Sequence, residues 1–131
     1  MGRQILLVIG AIIAVSVPLV VGAGAPGMPR GKVVASQVSG PLAVGKMAYD
    51  VHCASCHGTN GVGTDKGPPM LHRYYHRGHH GDGAFFIAAK RGVRQHHWKF
   101  GDMKPVPAAT DAQLANIVKY VRELQRVNGL F

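Results

Sequence analysis

The stretch DVHCASCHGTNG, residues 50–61, carries both cysteines of the 131-residue chain, and a histidine follows the second. Two cysteines cannot staple a scaffold of this size, so the fold needs an ordinary apolar core or a bound group to pack around. Three chemistries use such a pair. A redox dithiol belongs in a βαβ setting, which the helical patterns below do not supply. A zinc site would recruit further ligands, since Cys53-x2-Cys56 is followed after fifteen residues by His72-x3-His76, and such a set suits a tetrahedral ion. The intervening GTNGVGTDKGPPML, however, resists both the hairpin and the helix of a finger, and that reading leaves His57 unused. The third chemistry uses every residue, because Cys-x-x-Cys-His is the attachment signature of a c-type haem. Each thiol adds across a vinyl group, and the adjoining imidazole is held beneath the iron. Both vinyls lie on one edge of the ring, and one helical turn brings the two sulfurs to it.

The N-terminus reads MGRQ and then ILLVIGAIIAVSVPLVVG, Ile5 to Gly22. That is close to the minimum apolar length for crossing a bilayer. Two export readings stay open. An uncleaved anchor would keep Arg3 on the cytoplasmic side. A cleavable signal peptide would end near Val21-Gly22-Ala23. Either places the remainder outside the cytoplasm, on or near the periplasmic face of a bacterial inner membrane, and argues against nucleic acid as a partner. Residues 23–41, AGAPGMPRGKVVASQVSGP, read as a Gly/Pro/Ser-rich tether with a reach of about 25 Å. The folded domain is then 42–131.

Three helices are expected in that domain. Pro41 suits a helix start, with Val44, Met47, Ala48 and Val51 at helical spacing and Gly45 beside Tyr49. Asp82 is expected to cap a second helix, whose body runs from Ala84 to Ala89 and which Gly92 ends. Thr110 and Gln113 form a capping box ahead of the stripe Leu114, Ile117, Val118, Val121 and Leu124. Strand-like alternation is nearly absent, so the domain is all-α. The loops 57–81 and 92–109 are too long for a compact domain unless something inside organises them.

These features together resemble the class I, mitochondrial-like c-type cytochromes over residues 42–127. The family pattern appears here as Gly45-x-x-x-Tyr49, then Cys53-x-x-Cys56-His57, Gly67-Pro68, Met103 and Tyr120. The resemblance implies a cytochrome c-like fold of helices and long loops around one haem c, covalent through Cys53 and Cys56, with the first and last helices crossing. It implies His57 as proximal ligand, the Pro68 carbonyl as acceptor for its second N–H, and Met103 as sixth ligand. Many relatives have Pro directly after that methionine, whereas here Lys104 intervenes. Met28 falls in the tether, Met47 is too near the attachment helix, and Met70 matches a core position. His96 or His97 is the rival, giving a bis-histidine iron. Trp98 is expected to pack on the macrocycle. Two axial ligands leave no position for a substrate, so the implied activity is one-electron transfer and not catalysis.

Lys plus Arg outnumber Asp plus Glu by 15 to 6, a formal charge of +9. Lys66, Lys99, Lys104 and Arg94 flank the expected haem edge and suit redox partners with acidic docking surfaces. His72, His76, His79, His80, His96 and His97 exceed what haem binding requires, and such imidazoles suit copper or zinc. Two functions therefore remain: a carrier between membrane or periplasmic redox proteins, or a dedicated redox subunit of an enzyme complex, possibly copper-linked.

Overall fold

A computed structural model describes residues 34–36 and 38–131 of the chain. The expected anchor or signal segment at 1–22, Met28 and most of the tether lie outside the described residues. Among the described residues four helices form: α1 Pro41–His52, α2 Ala54–His57, α3 Asp82–Arg91 and α4 Asp111–Val127. Single 3-10 turns lie at Thr59–Gly61 and Arg73–Tyr75. Among the described residues there is no strand, only an isolated antiparallel bridge between Val93 and Met103. No described helix is long and apolar enough to cross a membrane.

Helices α1 and α4 cross at the centre of the fold, and Gly45 is the reason they can. A Cβ built there would lie 2.2 Å from the Asn116 carbonyl oxygen and 3.0 Å from the Tyr120 Cβ. Beside this contact the Tyr49 and Tyr120 rings sit 5.5 Å apart, tilted by 59°, and both are fully buried. Their hydroxyls reach the segment after the cysteines: Tyr49 donates to the Gly58 carbonyl at 3.0 Å and Tyr120 to Asn60 Oδ1 at 3.0 Å. The expected crossing therefore also anchors the chain around His57.

The capping box at Thr110 and Gln113 is complete. Leu114, Ile117, Val118, Val121 and Leu124 are all buried along α4. Two expectations require correction. On α1 the buried face is Gly45, Ala48 and Tyr49, whereas Val44, Met47 and Val51 are 51 %, 70 % and 74 % exposed. Apolar spacing alone chose the wrong face, because the small-residue face packs closer to α4 than large side chains allow. Asp82 does not cap α3 either; Gly81 occupies that position, and Asp82 turns its carboxylate to Arg122 and Arg77 instead. Gly92 ends α3 as expected, at φ +76.

Val34 and Val38, upstream of Pro41, are attached to the domain. Val34 and Asn128 exchange two hydrogen bonds, Val34 N–H to Oδ1 at 2.8 Å and Nδ2 to the Val34 carbonyl at 2.9 Å. Val38 packs on the core. The last residues of the expected tether thus lie along the end of α4.

Candidate functional site

The two long loops, the end of α1, the body of α2 and the inner faces of α3 and α4 border a cavity of about 530 Å³, within the usual range for clefts that bury a cofactor-sized molecule. Its wall includes Cys53, Cys56, His57, Pro68, Trp98 and Met103, all six residues expected at a haem. Leu114, Ile117, Val118 and Val121 of α4 supply an apolar floor. The long loops are accounted for in this way: each borders the cavity instead of a second layer of helices.

Cys53 breaks the helix between α1 and α2, with φ −125 and ψ −35. That break sets both thiols and the His57 ring at one side of the cavity. Cys53 is half-buried and Cys56 exposed, and no disulfide joins them. Burial, with a smaller push from Cys56, raises the Cys53 thiol to about 11.

His57 is 7 % exposed. Its Nδ1 lies 2.8 Å from the Pro68 carbonyl, and a carbonyl can only accept, so Nδ1 carries the proton and Nε2 keeps its lone pair. Burial lowers the pKa of this imidazole, against a smaller raising effect of that same hydrogen bond. The Pro68 loop is itself tied back to the cysteines. Thr64 Oγ1 donates to the Cys56 carbonyl at 2.6 Å and accepts from the Lys66 N–H at 2.9 Å. Thr64 went unremarked in the sequence, where no pattern marks it.

Met103 is held by its backbone. Its N–H donates to the Val93 carbonyl at 2.9 Å, and its carbonyl accepts from the Val93 N–H at 3.0 Å. This pairing requires Gly92, where a Cβ would meet the Met103 carbonyl oxygen at 2.4 Å. Met70 is 8 % exposed in the core, as its position suggested, and Met47 lies on the surface. Trp98 lines the cavity and stacks on Tyr75, centroids 6.1 Å apart at 18°.

The six additional histidines separate. His79, His80 and His97 converge, with His96 stacked on His80 at 5.7 Å. His72 and His76 turn away: each Nδ1 accepts a backbone N–H, from Tyr74 at 3.3 Å and from Gly78 at 3.1 Å. Among the described residues no ligand-distance group joins these two to the cysteines, which removes the four-ligand zinc reading.

The resident of α4 that sequence patterning missed is Arg122, 6 % exposed. Its guanidinium donates to Asp82 Oδ1 at 2.7 Å, Gln125 Oε1 at 2.8 Å and the His80 carbonyl at 2.7 Å, and also to the Tyr75 carbonyl. Gln125, fully buried, donates to the Met70 carbonyl at 2.8 Å. Together they pin the loop 70–82 to α4. On the cavity rim, Lys66, Arg94 and Lys104 are exposed and make no ion pair among the described residues, while Lys99 lies outside the wall.

The cavity fits a flat apolar cofactor bonded to two thiols and an imidazole. A family model described as Cytochrome c matches residues 42–125. No curated protein matches the sequence.

Proposed function

The chain belongs to the cytochrome c family, and on that premise we propose that it is a one-electron carrier in which His57 and Met103 would hold the haem iron. Membership implies a covalent haem c, and Cys53 and Cys56 stand in the attachment spacing. The haem supplies a reversible one-electron couple. His57 offers Nε2, its ring fixed and made more basic by the Pro68 carbonyl. Met103 offers a thioether, which favours the reduced state relative to a second imidazole. The apolar floor from α4 and the Trp98 wall exclude water.

The observation that carries this reading is that both thiols, the Pro68-bonded His57 and the Gly92-dependent Met103 line the same cavity. His96 and His97 line it too, so the discriminating experiment compares variants. Met103→Ala should abolish the far-red sulfur-to-iron band of the oxidised protein and lower its potential, while His96→Ala and His97→Ala leave both in place. Retention of the band in Met103→Ala would refute the ligand assignment.

Partners follow from the rim. The unpaired Lys66, Arg94 and Lys104 favour brief docking on acidic redox proteins. The apolar Ile5–Gly22 supports a site of action at the periplasmic face of a bacterial inner membrane, anchored there or released after cleavage near Ala23. A second reading has its own support. Val44, Met47 and Val51 form an exposed apolar stripe on α1, as a permanent subunit of an enzyme complex would need. Met47→Glu should then release the chain from a co-purifying catalytic subunit, and a chain that purifies alone argues for the free carrier.

A further inference from the structure

Three of the additional imidazoles form a constellation that the proposed His57 and Met103 ligation does not require. The candidate ligand nitrogens of His79, His80 and His97 all lie within 4.8 Å of one another, and the Nε2 atoms of His79 and His97 are 3.1 Å apart. A tetrahedral zinc ion with Zn–N bonds of about 2.0–2.1 Å separates its ligand nitrogens by about 3.3 Å. One edge of the required triangle is therefore already present, and the third nitrogen has at most about 1.5 Å to travel.

The three rings are oriented by different elements. His79 and His80 N–H groups both donate to the His76 carbonyl at 2.9 Å, which turns the two successive imidazoles to the same side. Arg122 fixes the His80 carbonyl from α4. His80 Nδ1 lies 2.6 Å from the Tyr74 carbonyl, so it must donate there, leaving Nε2 unprotonated. Metal-bound histidines generally carry this kind of buttress on the second nitrogen. His97 comes from the other long loop and stacks on Tyr74 at 4.1 Å and 21°.

We propose that His79, His80 and His97 bind one divalent late-transition-metal ion, with zinc chemistry, through three neutral imidazoles and a fourth position left to water. Three histidines with an open position form a recognised zinc donor set. Copper(II) is the tighter rival for the same nitrogens. Desolvation, and then the neighbouring His96, His80, His79 and His72, lower the pKa of His97, which favours the neutral form of that one ring. In the metal-free form the 3.1 Å separation requires that one of the two Nε2 atoms donates a hydrogen to the other. Binding moves that proton to the Nδ1 of the donating ring, an exchange that solvent carries at exposed His79, with no net proton release. The site goes beyond the electron-carrier reading and requires only that the sixth haem ligand is not His97.

The test is equilibrium dialysis of the intact holoprotein against Zn²⁺ with metal analysis. The expected result is one ion per chain. His79→Gln and His97→Gln should each weaken binding at least about tenfold. Asp50→Asn, an exposed carboxylate on α1, should bind as the parent does, and the haem absorption spectrum of every variant should be unchanged. Absence of a stoichiometric ion overturns the proposal, as does equal retention by the His79 and His97 variants. A zinc-free parent in which His97→Gln alters the haem spectrum also overturns it, because that imidazole would then be on the iron. If Met103 fails as a ligand while zinc still binds, only the ligand assignment falls.

Discussion

Arg122 and Asp82, forty residues apart, meet through Nε and Oδ1 at 2.7 Å, joining α4 to the start of α3. The same guanidinium holds the Tyr75 and His80 carbonyls, so the loop carrying four histidines is stapled to the terminal helix by one buried cation. Arg122→Met should destabilise the domain by about 3 kcal/mol, since several acceptors lose a charged donor. It should also accelerate amide hydrogen exchange in 72–82 before exchange rises elsewhere. Thermal unfolding with exchange mass spectrometry checks both.

Acid should act partly through the same pair. Burial alone would raise the Asp82 carboxyl, but hydrogen bonds and charge from Arg122 and Arg77 hold it below the usual carboxylate range. A depressed folded value means its stabilisation is complete above the unfolded value and lost as pH falls through the folded one. The stability difference between the parent and Asp82→Asn should therefore be constant above about pH 5 and shrink below about pH 4. A difference that grows on acidification would contradict the assigned sign.

The helix crossing predicts opposite outcomes for two glycines. Gly45→Ala places a methyl against the Asn116 carbonyl and should cost about 2–3 kcal/mol, since backbone must yield. Gly83, in α3, has nothing within 4 Å of a built Cβ. Gly83→Ala should be neutral or stabilise by up to about 1 kcal/mol through helix propensity. Denaturant midpoints measured side by side test the pair.

Gly92→Ala should act on the cofactor side and not the helical core. Its φ of +76 and the nearby Met103 carbonyl both oppose a side chain. The expected result is a lost Val93–Met103 bridge and a weakened far-red sulfur-to-iron band with haem still attached. An unchanged band would show that Met103 is held by something other than this bridge.

Electrostatic docking predicts salt dependence. With Lys66, Arg94 and Lys104 unpaired at the rim and a formal charge of +9, the rate of electron exchange with an acidic partner should fall about tenfold or more between low and physiological ionic strength. Stopped-flow traces at graded salt read this directly, and a flat profile would argue against steering.

Several parts of this arrangement were readable in the chain because they are local. The attachment spacing, the Thr110–Gln113 box and the α4 stripe each need only a few neighbouring residues. Two long loops with no core of their own signalled an internal organiser, and both line the cavity. Non-local choices were not readable. Val44, Met47 and Val51 have the periodicity of a buried face, yet close approach of α4 at Gly45 decides which face is buried. Arg122 and Gln125 look like solvent-facing helix positions, and only the carbonyls of a loop some forty to fifty-five residues away explain their burial. Of six spare histidines, backbone hydrogen bonds to His72 and His76 remove two from the cluster, a sorting that no spacing rule anticipates.

Covalent attachment of one haem through Cys53 and Cys56 is read from the intact mass of the denatured protein, made with a working haem-ligation apparatus. The expected mass is that of the polypeptide plus one haem, with neither cysteine open to alkylation. A mass equal to the bare polypeptide, with both thiols alkylated, would contradict it.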